Sequence, residues 1–156
     1  KCGGCHLKSH DMLVSPHPAN NVKTGFPGKK IVAWFKSENA GRNWKSSVGD
    51  FWGKGNWGVK TYTARGYGAK SAIKFVQGST SNTFEFKGVL RDHYTVCAVT
   101  RYTSAKNAKR ILQGSHTNIV FGHHGAEGVG VVYFGGWQTP QKKRIKSTKW
   151  TTVCAS

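Results

Sequence analysis

The chain has 156 residues, of which 37% are hydrophobic, and its 24 Lys and Arg against 6 Asp and Glu give a formal net charge of +18. This length predicts a single domain with a real core, and no apolar stretch approaches the roughly 20 residues that a membrane-spanning helix needs. So large an excess of positive charge favours an acidic partner, because polyanions release counterions on binding. That partner would be a polysaccharide, a nucleic acid, an anionic membrane or an acidic protein surface.

The first 30 residues show little periodicity and predict an irregular N-terminal arm, ahead of a domain that covers residues 31–156. The arm opens with Cys2-Gly-Gly-Cys5-His6. This is the pattern of c-type haem attachment, in which two thioethers hold the macrocycle and the adjacent His ligates iron. A second iron ligand would come from one of three nearby side chains, namely Met12, His10 and His17.

Two other interpretations of the arm cysteines are open. Zinc would be held by Cys2, Cys5 and two of the three arm histidines, although their spacing is irregular for such a site. The favoured interpretation is a disulfide-anchored N-terminus without a cofactor, since four cysteines form two bridges in an oxidising compartment. The chain shows no signal peptide at Lys1, so targeting has been removed or the protein is intracellular. The disulfides favour an extracytoplasmic or secreted protein, an organelle lumen included.

Strand-forming runs, bounded by Gly, Asn and Ser, recur through the rest of the chain at Ile31–Phe35, Ala72–Val76, Thr83–Phe86, Tyr94–Tyr102, Lys109–Leu112, Asn118–Phe121, Gly128–Phe134 and Lys149–Cys154. They are rich in β-branched and aromatic residues, which is typical of strands. Residues 38–68 are rich in Gly and turns. Short strands at such intervals predict an all-β fold, an antiparallel β-sandwich of jelly-roll type with almost no helix.

Two of these strand runs carry the remaining cysteines, Cys97 and Cys154. Side chains alternate between the two faces of a strand, which places Cys97 with Thr95 and Val99 on one face. The two thiols either bridge across strands or stay buried and free. Four cysteines allow three connectivities, and spacing does not choose among them.

A short sequence segment occurs twice, each time at the end of a predicted strand, and we call this repeat the echo. Residues 75–82 and 111–118 share Gln-Gly-Ser at their centre and end on Asn82 and Asn118, respectively. Each copy is predicted to be a strand end plus its connecting turn, where Gly permits a positive φ. Two copies are too few for a solenoid or propeller, so they indicate repeated turn geometry.

Five segments of the chain resemble the concanavalin A-like lectin/glucanase superfamily, and its laminin-G-like jelly-roll branch in particular, over about residues 31–154: Ile31-Val-Ala-Trp-Phe-Lys-Ser, Asn43-Trp-Lys-Ser-Ser-Val-Gly49, Tyr94–Tyr102, Arg110-Ile-Leu-Gln-Gly114 and Val129–Trp137. The resemblance implies two antiparallel sheets whose concave face binds sugar or protein. Lys149–Cys154 resembles a mid-fold strand of that family. The resemblance therefore implies further closing strands, removed by processing, unresolved or supplied by another chain.

Catalysis is disfavoured by the scarcity of carboxylates. No two of the six acidic residues lie within four positions of each other, whereas glycoside cleavage needs a pair that flanks the scissile bond. The closely spaced acidic strand motif of the superfamily's glucanases is missing. Serine-hydrolase and phosphate-loop motifs are missing as well.

Aromatic and basic residues supply the candidate ligand-binding residues. Aromatic rings among glycines, at Trp52, Trp57, Tyr62 and Tyr67, are predicted either to form a stacking platform for sugar rings or bases or to serve as core residues. The run 141–149 carries five bases and no acid, and is either a solvated loop or a contact surface for an acidic partner. The ligand-binding set is completed by residues on the later strands and in this run, namely Arg110, Asn118, Trp137, Lys142, Lys143, Arg144 and Lys146.

Adjacent histidines at 123 and 124, with His116 nearby, are a weaker metal candidate, because neighbouring strand residues point to opposite faces. The combined prediction is a non-catalytic, lectin-like binding module that engages an acidic glycan or other polyanion. One alternative is an accessory or structural subunit of a larger assembly, docked through its basic face. A further alternative is a haem c-bearing electron-transfer subunit that uses Cys2, Cys5 and His6.

Overall fold

The computed structural model describes residues 5–8, 31–90, 93–104, 106, 108–139 and 147–156, with the backbone alone at 5–8. Almost all regular structure in this part of the chain is β-strand: β1 Cys5–Lys8, β2 Asn43–Lys45, β3 Trp52–Gly55, β4 Lys60–Gly66, β5 Ala69–Gln77, β6 Thr83–Phe86, β7 Val96–Thr100, β8 Leu112–Gly114, β9 Ile119–His124, β10 Gly128–Phe134 and β11 Thr151–Ala155. One 3-10 turn, Ser37–Asn39, precedes β2. No helix of the described residues is long and apolar enough to span a membrane.

The largest sheet has seven strands in the order β10-β9-β8-β1-β6-β3-β2. All of its neighbouring strands pair antiparallel. Strand β1 lies at the centre, where it joins β6 on one side to β8 on the other. The prediction of an irregular arm over residues 1–30 therefore does not hold for Cys5–Lys8, and the rest of that arm lies outside the described residues.

Two antiparallel ribbons accompany this sheet, the hairpin β4–β5 and the pair β7–β11. The predicted antiparallel, mostly β fold with almost no helix is confirmed in this coarse form. The predicted strand Ile31–Phe35 is wrong, because this segment does not pair with another strand. Its backbone is satisfied by a loop instead: the Trp34 N–H donates to Ser46 Oγ at 2.7 Å, and the Trp34 carbonyl accepts from the Ser47 N–H at 2.7 Å.

The main core is centred on Trp44, which is fully buried. Its Nε1–H donates to the Lys36 carbonyl at 2.8 Å, so the one polar atom of the ring has a partner. The rings of Phe35 and Phe84 meet it edge-on, with centroids 6.1 and 6.2 Å away. These contacts fasten the 31–36 segment and strand β6 to β2, because edge-to-face packing of aromatic rings adds to the burial of their area.

A second apolar cluster attaches the β7–β11 ribbon to the large sheet through Ala98, Phe121 and Val132. Period-2 alternation turns the opposite face of this ribbon to solvent, and Cys97 and Cys154 are exposed there. The two cysteines are directly opposite each other in the register and form a disulfide with a Cα–Cα distance of 4.1 Å. Of the two predicted alternatives, the cross-strand bridge is the one that the structure has.

Candidate anion-binding groove

Two adjoining cavities open on the surface between β4, β5 and β8, with volumes of about 670 and 410 Å³. They share Thr80 as a lining residue, and we call the two cavities together the polar groove. The larger cavity is bordered by residues 108–110, Gln113 and residues 124–126. The smaller one is bordered mainly by the start of β4, the turn after β5 and residues 103–104.

The described lining of the polar groove is basic. Lys109 and Arg110 line the larger cavity and Lys60 lines the smaller one, whereas no carboxylate is among the described lining residues of either. Amide and hydroxyl side chains fill the space between these cations, at Gln77, Ser79, Thr80, Asn82, Thr103, Ser104 and Gln113. Such a surface offers charge to an anion and hydrogen-bond donors and acceptors to hydroxyl groups.

The floor of the smaller cavity is a tight turn built by the first copy of the echo. Asn82 Oδ1 accepts from the Ser79 N–H at 2.7 Å and from the Ser79 hydroxyl at 2.9 Å. Gly58 packs so closely on this turn that a Cβ there would lie 1.9 Å from Asn82 Nδ2. The turn is therefore fixed by its own hydrogen bonds and by a glycine that permits the approach.

The second copy of the echo positions Arg110 at the larger cavity. Strand β8 ends at Gly114, where a Cβ would lie 2.5 Å from Thr117 Oγ1, so the chain closes into an equally tight turn. Asn118, at the end of this turn, accepts a 2.7 Å hydrogen bond from Arg110 Nη1. Each copy is a strand end with its turn, as predicted, and both copies border the polar groove. The positive φ predicted for the turn glycine is wrong, since neither Gly78 nor Gly114 has one.

His124 lies at the far end of the larger cavity. Its Nδ1 accepts from the N–H groups of Ala126 and Glu127, both at 3.3 Å, so the neutral ring carries its proton on Nε2. Partial burial and the positive charge of Arg110 lower the pKa of His124, while Glu127 opposes the shift. The ring also meets Trp137 edge-on at 5.3 Å, which places an aromatic side chain beside this end of the groove.

His123 points to the opposite face and is fully buried. Its Nδ1 lies 2.9 Å from Thr100 Oγ1, and the Tyr102 ring meets it edge-on at 4.6 Å. Burial lowers the pKa of His123 to about 4. The two neighbouring histidines are thus separated by the alternation of the strand. Within the described residues, no group of three His, Cys, Asp or Glu side chains is placed to hold a metal ion.

The structure brings only part of the predicted binding set together. Tyr62 and Arg110 line the groove, and Asn118 contacts Arg110. Trp137 contacts the ring of His124, which lines the groove. The basic residues Lys142, Lys143, Arg144 and Lys146 lie outside the described residues, as does Cys2, and nothing is described of the Cys5 and His6 side chains.

The other three aromatic candidates lie apart from the groove lining. Trp52 is on β3 beneath the Lys45 ammonium, whose Nζ is 5.4 Å from its ring centroid. Trp57 is 85% exposed in the turn after β3. Tyr67 is the hairpin turn residue, with the Arg101 guanidinium 3.7 Å from its ring centroid. In the described part of the chain no ring contact joins any two of the four rings that were candidates for a shared platform.

Sequence reasoning missed most of the groove, since Tyr62 and Arg110 are the lining residues that the predicted binding set contains. Lys60, Lys109, Gln113 and His124 were not in the predicted binding set, although all four line it. Of these four residues only Gln113 lies within a copy of the echo. The repetition predicted turn geometry and did not indicate that the two turns line neighbouring cavities.

Comparison of the chain with protein-family models, with curated proteins and with solved structures finds no match. The class of protein is therefore defined by its fold and site. The described residues form a mostly antiparallel β protein with a basic, carboxylate-free groove and a cross-strand disulfide. Function has to be argued from that groove.

Proposed function

We propose that the protein is a non-catalytic, lectin-like binding module that holds an acidic glycan in the polar groove. The observation that carries the proposal is the chemistry of the lining, in which Lys60, Lys109 and Arg110 stand without an opposing carboxylate among the described residues. Sulfate or carboxylate groups of the glycan neutralise these cations. Because charge-assisted hydrogen bonds are about twice as strong as neutral ones, they supply most of the affinity.

Neutral side chains suit the rest of such a ligand. The amides and hydroxyls between the cations bind sugar hydroxyl groups, which act as both donors and acceptors. Tyr62 in the smaller cavity is 43% exposed and stacks on Phe75 at 5.8 Å, so one face of its ring is supported from below. A supported ring loses little entropy when a second ring packs on it. Trp137 offers a second apolar surface at the other end.

The same lining argues for binding without cleavage. Hydrolysis of a glycosidic bond requires two carboxyl groups on either side of that bond. No carboxylate is among the described lining residues, and Glu127, the acidic neighbour of His124, donates only its backbone N–H to that ring. A ligand in the groove would therefore be held and released unchanged.

The finer architecture and the location belong to this proposal. A jelly-roll sandwich related to the laminin-G-like branch would set the groove in a sugar-binding fold, and the large antiparallel sheet supports that assignment in its coarse form. An extracytoplasmic or secreted location is supported by the Cys97–Cys154 bridge, because disulfides persist in oxidising compartments. Acidic polysaccharides are abundant in those surroundings.

Charge reversal of Arg110 tests the proposal. We expect Arg110→Glu to weaken the binding of heparin and alginate oligosaccharides by roughly 10- to 100-fold, since a hydrogen bond to a charged group is worth about 1.5–3 kcal/mol. Isothermal titration calorimetry at fixed salt measures the change. Lys54→Glu is the matched control, because it makes the same change in net charge at an exposed position of β3 outside the groove lining.

The control variant should change the affinity by less than about threefold, since exposed charges beyond a Debye length are screened. Equal losses in Arg110→Glu and Lys54→Glu would mean that the ligand responds to net charge alone. That result would contradict a binding site in the groove.

A further inference from the structure

Strand β4 is exposed along its whole length. All seven of its residues, Lys60–Gly66, are exposed, which means that both faces of the strand meet solvent. In the described part of the chain it pairs only with β5, on one side. Among the described residues, the other edge therefore presents a row of backbone N–H and C=O groups without a strand partner, and such a row is a template for another strand.

The inner strand of this ribbon is fixed in place. Phe75 and Val76 on β5 are buried, with 3% and 1% of their surface exposed. The Ser37 hydroxyl donates to the Lys74 carbonyl at 2.7 Å and accepts from the Lys74 N–H at 3.2 Å, so the edge of β5 away from β4 is occupied at Lys74. The open edge of β4 is thus carried on a strand that is anchored to the core.

The turn of the ribbon is fixed as well. The Trp150 N–H donates to the Tyr67 carbonyl at 2.8 Å, and the Arg101 guanidinium lies over the Tyr67 ring. Tyr67 adopts a positive φ of 54° between two glycines that also have positive φ. An edge that is held at its base and at its tip loses little conformational entropy when a partner strand adds to it.

The charge of the ribbon selects among partners. Lys60 and Arg65 on β4 and Lys70 and Lys74 on β5 are its ionisable cations, and neither strand contains an acidic residue. A second copy of the same ribbon would place like charges opposite one another, which destabilises strand pairing. An acidic strand would place opposite charges there and would be drawn in by the net charge of +18.

We propose that β4 is the docking edge for an acidic, extended segment of a partner protein, which adds as a further strand to the β4–β5 ribbon. Main-chain hydrogen bonds along the open edge supply affinity, and the cations of the ribbon select Glu- and Asp-rich strands. The β4 edge overlaps the polar groove at Lys60 and Tyr62, whereas the other three cations of the ribbon, Arg65, Lys70 and Lys74, lie outside the lining of that groove.

The test uses two synthetic peptides of eight residues, one with Glu alternating with Thr and Val, the other with Lys in place of every Glu. We expect the Glu peptide to bind and the Lys peptide to show no binding. Arg65→Gln/Lys70→Gln should weaken binding of the Glu peptide by roughly tenfold, because two complementary charges are removed. The control Arg42→Gln/Lys54→Gln removes the same net charge at two exposed residues outside the β4–β5 ribbon, one in the bend before β2 and one on β3, and should change binding by less than about twofold.

Amide hydrogen exchange shows whether the peptide pairs as a strand. Exchange in residues 60–66 should slow when the Glu peptide is bound, since new hydrogen bonds protect the edge amides. Binding without such protection would overturn strand addition, and failure of the Glu peptide to bind would overturn the docking edge altogether. Dimerisation of the free chain through β4, or equal protection of β4 by a DNA duplex, would overturn the assignment of an acidic strand. None of these outcomes depends on glycan binding in the groove.

Discussion

Removal of the Cys97–Cys154 bridge is expected to lower the free energy of unfolding by about 4 kcal/mol, because the bridge closes a loop with a sequence separation of 57. Without it, the unfolded chain regains the entropy that loop closure had removed. A loss of this size corresponds to a fall in Tm of about 10 °C for a chain of this length. The Cys97→Ser/Cys154→Ser variant, compared with the oxidised parent by urea denaturation, measures the change.

The position of the bridge makes a second outcome part of this prediction. Both cysteines are exposed on the outer face of the β7–β11 ribbon, so dithiothreitol should reach them in the folded protein. Treated parent protein should then approach the stability of the double variant, whereas the double variant should change little in the reductant. A stability difference below about 1 kcal/mol between parent and double variant would contradict a constraining role for the bridge.

Acid is expected to destabilise the fold by about 3 kcal/mol between pH 6.5 and pH 4 through His123 alone. Burial lowers the pKa of His123 from 6.5 to about 4, so in this range the unfolded chain binds a proton that the folded chain does not. The contribution of this residue to stability is therefore full above pH 6.5, is lost as the pH falls through that window, and does not change further below it.

The difference between the parent protein and His123→Gln isolates this effect. Glutamine keeps a polar group near Thr100 Oγ1 but does not titrate, so the part of the slope due to His123 should vanish. Carboxylates contribute equally to both proteins and cancel in the comparison. Equal slopes of unfolding free energy against pH in the two proteins would show that His123 is not held neutral by burial.

Strands with a long apolar run were predictable from the sequence, whereas the short strands β2 and β3 and the polar strand β4 in the Gly-rich segment were not. β6 and β10 begin and end at the predicted residues, since Phe84, Val131 and Val132 give them an apolar side. β4 was missed because it buries no residue, and its polar sequence carries no hydrophobic period. Sequence reasoning detects a strand by its pattern of apolar residues, and that pattern arises only where the strand buries one of its faces.

The Ile31–Phe35 prediction failed for the converse reason. Phe35 packs on Trp44 and Phe86. This contact needs an extended chain but no pairing with another strand. Hydrophobicity indicated the packing of Phe35 correctly, but none of the five residues is fully buried, Val32 is exposed, and the segment is not a strand. β1 could not be found at all, because four residues between glycines and polar positions carry too little periodicity.

Only a small part of the site was predictable, because it assembles from distant segments. Lys60 and Arg110 line the same groove although fifty positions of sequence separate them. Arg110 was found because it lies in a segment with a family resemblance, whereas Lys60 has no local feature that marks it. Only the pairing of strands brings such residues together, and that pairing depends on the whole fold.

Titration of isotope-labelled protein with a heparin hexasaccharide, followed by backbone amide chemical shifts, tests the central claim most directly. The account predicts that the largest shifts fall on residues 77–82, 108–113 and 124–126, which border the polar groove, and that they shrink as salt is raised. Largest shifts on other described segments, or no shifts even at low salt, would contradict an acidic-glycan site in this groove.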